Sequence, residues 1–367
     1  MTKAAELAKM GEVLTNSQIG GRRNIVVNGA MNISQRATSS TGISTSGYYT
    51  VDRFQIFMGN TDGRVTASQV ADVHDGFANA LKLECTTADT SIAAGEFFGI
   101  QYKIEGQDVQ QLKKGSSDAE SITVSFYVKG NASATFALEL FDNDNSRQAS
   151  QLFSVTTDWT RVTKTFTPDT TGAFDDNNES SLQVLFWLHG GSNFTSGTLS
   201  STFASSNNVN RAAGISSFLD STDRTFFITG VQVEVGSVAT PFEHRSFGEE
   251  LALCQRYFNI FGTDTSNAYE NFGIAVAFGS GSGNIRMGPM SMPVEMRAIP
   301  TVAHSGSFAC VGQLVTGTIS SIGLADGGSP QHIMLNITGD QTQTSGNVAP
   351  FRSNNDVDAF ISFDAEL

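Results

Sequence analysis

The stretch that decides the fold runs from Ser121 to Lys129 and reads SITVSFYVK. Its even-numbered residues are isoleucine, valine, phenylalanine and valine, whereas its odd-numbered residues from 123 are threonine, serine, tyrosine and lysine. A period of two places the apolar set against a core and the polar set towards water. The stretch therefore predicts a strand of an antiparallel sheet with one buried face.

The same period recurs on both sides of this stretch, at residues 136–141, 162–166, 182–189 and 231–235. Clusters of Gly, Asn, Asp and Ser separate these runs, as expected for turns between short strands. No long helical pattern interrupts them. Residues 21–247 are thus predicted to form an antiparallel β-sandwich of the jelly-roll type, and the protein is predicted to be mainly β.

Before this domain, residues 1–20 contain a short helical pattern. Leu7, Met10 and Leu14 follow the i, i+3, i+7 spacing of one helix face. A helix this short is marginally stable alone. We therefore interpret residues 1–20 as a helical attachment or oligomerisation segment; the alternative is a frayed terminus.

After the sandwich the period changes to that of a helix. Leu251, Cys254 and Phe258 share one helical face, and acidic residues precede them. Residues 248–260 are therefore predicted to be a linking helix. Residues 261–367 contain short strand-like runs separated by Gly- and Ser-rich turns. They are predicted to form a second, smaller C-terminal β domain.

Composition excludes several classes of partner. The chain has 367 residues, and 22 Lys and Arg against 36 Asp and Glu give a net charge of −14. Such a chain repels phosphate backbones, so nucleic acid is not expected as a partner. No apolar run is long enough to span a bilayer, so membrane insertion is not expected. Cys85, Cys254 and Cys310 are far apart and are predicted to be free, mostly buried thiols in a protein made in a reducing compartment.

The motifs of common enzymes are absent from the sequence. It contains no GxSxG, P-loop, HExxH or strand-associated GxGxxG pattern, and its five histidines are isolated from one another. We therefore expect neither an enzyme nor a cofactor. The acidic loops at residues 142–145 and 175–179 contain oxygen ligands of the kind that bind a structural calcium ion. The simpler interpretation is a polar hairpin turn at 142–145 and a solvated loop at 175–179.

The candidate binding residues come from strand parity. In the run from Leu182 to His189 both faces are partly apolar, and Trp187 and His189 lie on the face opposite Leu182. Tyr127 and Phe141 lie on the non-core faces of their own strands. If these strands are neighbours, Trp187, Tyr127 and Phe141 form an aromatic platform for sugar rings, with His189 as a hydrogen-bond partner. The alternative is that Trp187 packs under a loop or against another subunit.

Several stretches resemble the tail-fibre proteins of tailed phages from aquatic bacteria. The more specific ones are GVQVEVGSVATPFEHR at residues 230–245 and EELALCQRY at residues 249–257. Weaker ones are NIVVNGAM at 24–31, Gln35-Arg36 and VDRF at 51–54. Residues 121–129 and 158–166 are also similar to strands of the galactose-binding-like jelly rolls found in many carbohydrate-binding modules.

This resemblance implies a jelly roll, a homotrimer and a place in the virion tail, after synthesis in the host cytoplasm. It also implies attachment to a host surface polysaccharide, with residues 1–20 contacting other tail or baseplate proteins. It supplies no binding residue. Three interpretations remain: reversible, multivalent glycan binding, a structural virion adaptor that binds no glycan, and a glycan-cleaving depolymerase.

Overall fold

The chain packs into two compact units, Met1–Glu250 together with Leu367, and Leu251–Glu366. The computed structural model describes residue 3 and residues 22–262, 266–277, 285–311, 319–325, 328–339 and 346–367. Apart from Lys3, the helical segment predicted for residues 1–20 lies outside the described residues. The boundary between the two units lies within the linking helix that the sequence predicted.

The first unit is a sandwich of two antiparallel sheets. Sheet A has the strand order β1–β3–β4–β12–β6–β9, and sheet B has the order β11–β8–β7–β10–β5–β2. Sheet A consists of β1 (Ser39–Ile43), β3 (Arg64–Val70), β4 (Ala80–Thr87), β12 (Thr225–Val235), β6 (Ile122–Gly130) and β9 (Thr160–Phe166). Sheet B consists of β11 (Ala204–Ser205), β8 (Arg147–Val155), β7 (Ala134–Asp142), β10 (Ser180–Gly190), β5 (Phe97–Glu105) and β2 (Gln55–Gly59).

The core of this unit lies between the two sheets and is built from the inward set of each alternating strand. In β6 the inward set is the one predicted from the sequence, and it includes Val124, Phe126 and Val128, all fully buried. Phe126 meets Phe186 of β10 edge-on, with 5.0 Å between ring centroids. The predicted antiparallel sandwich is confirmed.

Strand β12 carries a bulge at the centre of sheet A, because its register with β6 shifts between Thr229 and Gln232. Gly230 lies in this bulge with φ of 62°. A Cβ at that position would lie 2.6 Å from the ring of Phe77 and 2.9 Å from that of Tyr127. Only glycine therefore fits both the backbone conformation and the aromatic rings above it.

The second unit contains two further antiparallel sheets. Their strand orders are β13–β21–β16 and β17–β20–β14–β15–β19–β18. The strands are β13 (Phe258–Phe261), β14 (Asn271–Ala277), β15 (Ile285–Ser291), β16 (Thr301–Ser305), β17 (Phe308–Cys310), β18 (Ile319–Leu324), β19 (His332–Gly339), β20 (Val348–Ser353) and β21 (Phe360–Asp364). A separate apolar core, which includes Phe351, Ile361 and Phe363, lies within this unit. The second, smaller β domain is thus present.

Two α-helices occur among the described residues, α1 (Ser192–Thr195) and α2 (Phe247–Gln255). The linking helix was predicted to continue to residue 260. This predicted end is wrong, because the helix ends at Gln255. The Tyr257 amide donates to the Cys254 carbonyl and ends the helix. Phe258 is the first residue of strand β13, where it pairs with Asp364 of β21. In the part of the chain that the structure describes, no helix has the length and apolarity required to cross a membrane.

Candidate functional site

Strand β10 has two apolar faces, as its sequence predicted. Val184, Phe186 and Leu188 point into the core between the sheets. Leu185 and Trp187 point outward and belong to a second, smaller cluster on the outer surface of sheet B, together with Ala137 and Ala212. The outward face of β10 is therefore covered over part of its length.

Residues 191–216, which we call the cover segment, account for this second cluster. The segment contributes Ala212 to the cluster, and Phe194 and Ile215 pack against it. Backbone hydrogen bonds tie the segment to sheet B at both ends, from Gly191 N to Glu96 O (2.8 Å) and from Ser216 N to Thr135 O (2.7 Å). The cover segment is thus a fixed part of the sandwich.

Trp187 was expected to be an exposed stacking residue, and the structure corrects this placement. Its side chain is 0% exposed, because Phe194 of the cover segment lies over it and Phe57 meets it edge-on at 5.2 Å. The indole Nε1–H donates to Glu139 Oε2 at 2.6 Å. Trp187 therefore packs under a loop, as the alternative interpretation held, and offers no free ring face.

Glu139 is fully buried beside Trp187 and is paired with Arg211 of the cover segment. Arg211 Nε lies 2.9 Å from Glu139 Oε1, and its guanidinium lies over the rings of Trp187 and Phe141. Burial raises the pKa of the Glu139 carboxyl above its ordinary value, although Arg211 and the indole N–H act in the opposite direction. This pair anchors the cover segment to sheet B.

His189 was expected to be a surface hydrogen-bond partner, and this placement is also wrong. Its side chain is 0% exposed. Its Nε2 lies 3.0 Å from Glu96 Oε2, and its Nδ1 lies 2.8 Å from Ser217 Oγ. A carboxylate only accepts hydrogen bonds, so Nε2 carries a proton, and in the neutral imidazole Nδ1 then accepts from the Ser217 hydroxyl. Sequence reasoning missed both partners, which lie 93 and 28 residues from the histidine.

Tyr127 does not belong to the same surface as the other candidates. It lies on the outer face of sheet A, whereas Phe141 and Trp187 lie on the outer face of sheet B, so the core separates them. Tyr127 is half-buried against His74 and Phe77, with ring centroids 4.3 and 5.4 Å away. The predicted three-ring platform is therefore not formed, because the strands that carry the rings are in different sheets.

Next to the cover segment, the outer face of sheet B carries a strip that we call the amide row, formed by Gln55, Gln101 and Gln183, with Phe141 at its end beneath the Arg211 guanidinium. Gln55 lies opposite Gln101 in the pairing of β2 with β5, and Gln183 lies opposite Phe141 in the pairing of β10 with β7. Gln101 Nε2 donates to Gln183 Oε1 at 2.7 Å. Gln55, Gln183 and Phe141 are half-buried, and Gln101 is 7% exposed.

The chemistry of the amide row suits a polyhydroxylated ligand. Each glutamine amide has two N–H donors and a carbonyl acceptor, and hydroxyl groups both donate and accept. Phe141 adds an apolar surface beside these groups, which is the mixture that orients small polar ligands. Neighbouring strands lie about 4.8 Å apart, so the four strands of the row span roughly 14 Å. An extended chain fits this length better than a single small molecule.

The acidic loop at 142–145 is a hairpin turn that joins β7 to β8. Asp142 accepts from the Asn145 amide at 3.0 Å and closes the turn. The buried ammonium of Lys114 lies 2.5 Å from Asp142 Oδ2 and 3.1 Å from Asp169 Oδ2. It also donates to the carbonyl oxygens of Thr171 and Gly172, each at 2.7 Å. A lysine thus supplies the positive charge at this turn.

Asp169 is held in place by two cations. Arg147 donates to both of its carboxylate oxygens, at 2.7 and 2.9 Å, and Lys114 contacts one of them. Burial acts to raise the pKa of Asp169, but the hydrogen bonds from Arg147 and Lys114 outweigh it and leave the pKa below its ordinary value. Within the described ranges, no group of three or more His, Cys, Asp or Glu residues is arranged to hold a metal ion.

The three cysteines are free and buried, as predicted. Burial raises the pKa of the Cys85 and Cys310 thiols to about 11. A thiol with so high a pKa is almost entirely protonated at neutral pH and is a poor nucleophile. These cysteines therefore serve as small apolar core residues.

No protein-family model and no curated protein matches the sequence. Solved structures with a similar backbone fold include one described as "CBM4 structure and function". Its TM-score is 0.30, and its sequence identity is 14% over 57% of this chain and 97% of the other. They also include a family 11 carbohydrate-binding module from Clostridium thermocellum in complex with a β-1,3-1,4-mixed-linked tetrasaccharide, with a TM-score of 0.27 and 11% identity over 55% of this chain and 98% of the other.

A third similar structure is the enzymatically active domain of tailspike protein 4 of bacteriophage CBA120. Its TM-score is 0.28, and its identity is 10% over 58% of this chain and 21% of the other. At these TM-scores and identities, the likeness decides nothing about the function of this chain.

Proposed function

We propose that this protein binds a carbohydrate chain reversibly through the amide row and Phe141. The observation that carries the proposal is this strip on sheet B, where three glutamine amides lie beside an aromatic ring. Trp187 then acts indirectly, because its ring packs against Phe194 of the cover segment that borders the strip. His189 bonds to Glu96 and Ser217 and is not assigned to this site. Tyr127 has no part in this site.

The biological setting that we propose is the tail of a phage virion. The support is the resemblance of residues 230–245 and 249–257 to tail-fibre proteins of tailed phages. In this setting the protein is a homotrimer that attaches the virion to a host surface polysaccharide, and residues 1–20 contact other tail or baseplate proteins. Linked sites raise avidity by about 10²–10⁴ over a single site, so weak binding at each strip is sufficient.

A glycan array with the full-length protein tests this function and identifies the ligand class. The matched comparison is the double variant Gln101→Ala/Gln183→Ala, which removes both members of one hydrogen-bonded pair and leaves neither amide without its partner. Two lost hydrogen bonds to the ligand cost about 2 kcal/mol, which is roughly a thirtyfold loss in affinity.

The control for this experiment is Gln111→Ala, an exposed glutamine whose side-chain amide donates to the nearby Asp108 carbonyl. We expect the control to bind like the unaltered protein. Retention of no glycan by the folded, unaltered protein would contradict the proposal and favour a structural adaptor. Equal binding by the double variant would place the site elsewhere.

A further inference from the structure

Ser217, His189 and Glu96 form a continuous hydrogen-bond relay in the first unit. The Ser217 hydroxyl donates to His189 Nδ1 at 2.8 Å, and His189 Nε2–H donates to Glu96 Oε2 at 3.0 Å. The other carboxylate oxygen of Glu96 accepts from the Ala93 amide at 2.5 Å. The base is thus within hydrogen-bond distance of a hydroxyl and is oriented by a buried acid, which is the arrangement that activates a serine nucleophile.

The serine end of the relay lies at a cavity and is not fully buried. Ser217 is half-buried and lines a cavity of about 90 Å³ between the β6–β7 turn and residues 216–225. Phe136, Val155 and Phe218 form its apolar wall. This volume suits a small acyl group, such as acetyl, rather than a long acyl chain.

The cavity wall also carries a cation. Arg224 lines the cavity, and Asp220 fixes its guanidinium through Nε at 2.6 Å and Nη2 at 2.7 Å. Arg224 and Ser217 line the same cavity, and a fixed cation there favours the negative charge that develops on an ester oxygen during attack. By contrast, Glu139 and Arg211 pair with each other under the cover segment.

We propose that Ser217 is the nucleophile of an esterase site that removes small acyl groups, with His189 as general base and Glu96 as the residue that positions it. Ser217 Oγ attacks the ester carbonyl carbon while its proton passes to His189 Nδ1. The bond to the alcohol oxygen breaks, and that oxygen takes the proton. Water then attacks the acyl-serine and releases the carboxylic acid. This activity goes beyond glycan binding and does not depend on it.

The relay has a structural role that the test must separate from catalysis. The Ser217 side chain accepts from the Leu219 amide at 3.1 Å and caps a short 3₁₀ turn. Loss of activity in Ser217→Ala alone would therefore not decide between the two roles. Covalent labelling of the unaltered protein does, because a capping serine without activation does not react with a fluorophosphonate.

The experiment treats the full-length protein with a fluorophosphonate probe and maps the adduct by mass spectrometry, alongside hydrolysis of 4-nitrophenyl acetate. We expect one adduct for each chain at Ser217 and a loss of hydrolysis of about 10²-fold in His189→Gln. The control Ser154→Ala, an exposed serine of β8 that does not line the cavity, should label and hydrolyse normally. No adduct on the folded, unaltered protein, or an adduct at another residue, would overturn the proposal.

Discussion

Lys114 shows how a single residue holds charges inside the first unit. Its ammonium is 3% exposed and lies among Asp142, Asp169 and two backbone carbonyl oxygens. Arg147 also pairs with Asp169, so Asp142 depends on Lys114 more than Asp169 does. Breaking a buried pair by removing one partner leaves an uncompensated charge, which is costly.

We therefore expect Lys114→Met to lower the free energy of unfolding by about 3 kcal/mol. The matched control is Lys113→Met, because Lys113 forms an exposed pair with Glu120 and such pairs contribute about 0–1 kcal/mol. Urea denaturation of both variants measures the difference. Equal stability of the two variants would show that Lys114 does not compensate the buried carboxylates.

At the residue scale, the sequence predicted which face a side chain takes but not what covers that face. The period of two correctly separates Trp187 from the core-facing residues of β10. The burial of Trp187 depends on the cover segment, which has no periodic pattern of its own. Glu96 and Ser217 were missed for a related reason, since their hydrogen bonds to His189 join positions far apart in the chain.

At the scale of elements, the cover segment is the feature that decides which part of sheet B meets solvent. Its anchor is the buried pair of Arg211 with Glu139, next to the Trp187 indole. Removal of the guanidinium leaves Glu139 buried without its cation, which disfavours the closed arrangement. The amide row lies beside this anchor, with Gln55 and Gln183 half-buried and Phe141 under the Arg211 guanidinium.

Arg211→Ala should therefore loosen the cover segment and expose Trp187. Acrylamide quenching of tryptophan fluorescence measures this in a Trp159→Phe background, which leaves Trp187 as the one tryptophan. We expect little quenching before the Arg211 change and clear quenching after it. Arg64→Ala serves as the control, because its guanidinium donates to the nearby Asp62 and Gly63 carbonyls. Unchanged quenching in Arg211→Ala would mean that the pair does not hold the cover.

The strands were largely predictable, but their order in the sheets was not. β6, β7, β10 and β12 follow the alternation of their residues, because one face of each meets a core. Which strands are neighbours depends on long-range pairing, so Tyr127 and Phe141 were wrongly placed together. The end of α2 was missed for the same reason, since Phe258 leaves the helical pattern to pair with Asp364.

At the scale of the whole molecule, the homotrimer is a prediction of its own. It follows from the tail-fibre resemblance and from the apolar stripe of Leu7, Met10 and Leu14, which three parallel helices would bury. Light scattering of the full-length protein should give three times the chain mass. A stable monomer at micromolar concentration would contradict the trimer and remove the avidity on which the attachment model depends.

We expect a carbohydrate chain to bind along the amide row while Trp187 stays covered. A crystal structure of the full-length protein with an oligosaccharide selected by the array is the decisive test. It should contain sugar hydroxyls bonded to the amides of Gln101 and Gln183, a sugar ring beside Phe141, and an unmoved cover segment. A ligand bound on sheet A, or one stacked on Trp187 after displacement of the cover segment, would contradict it.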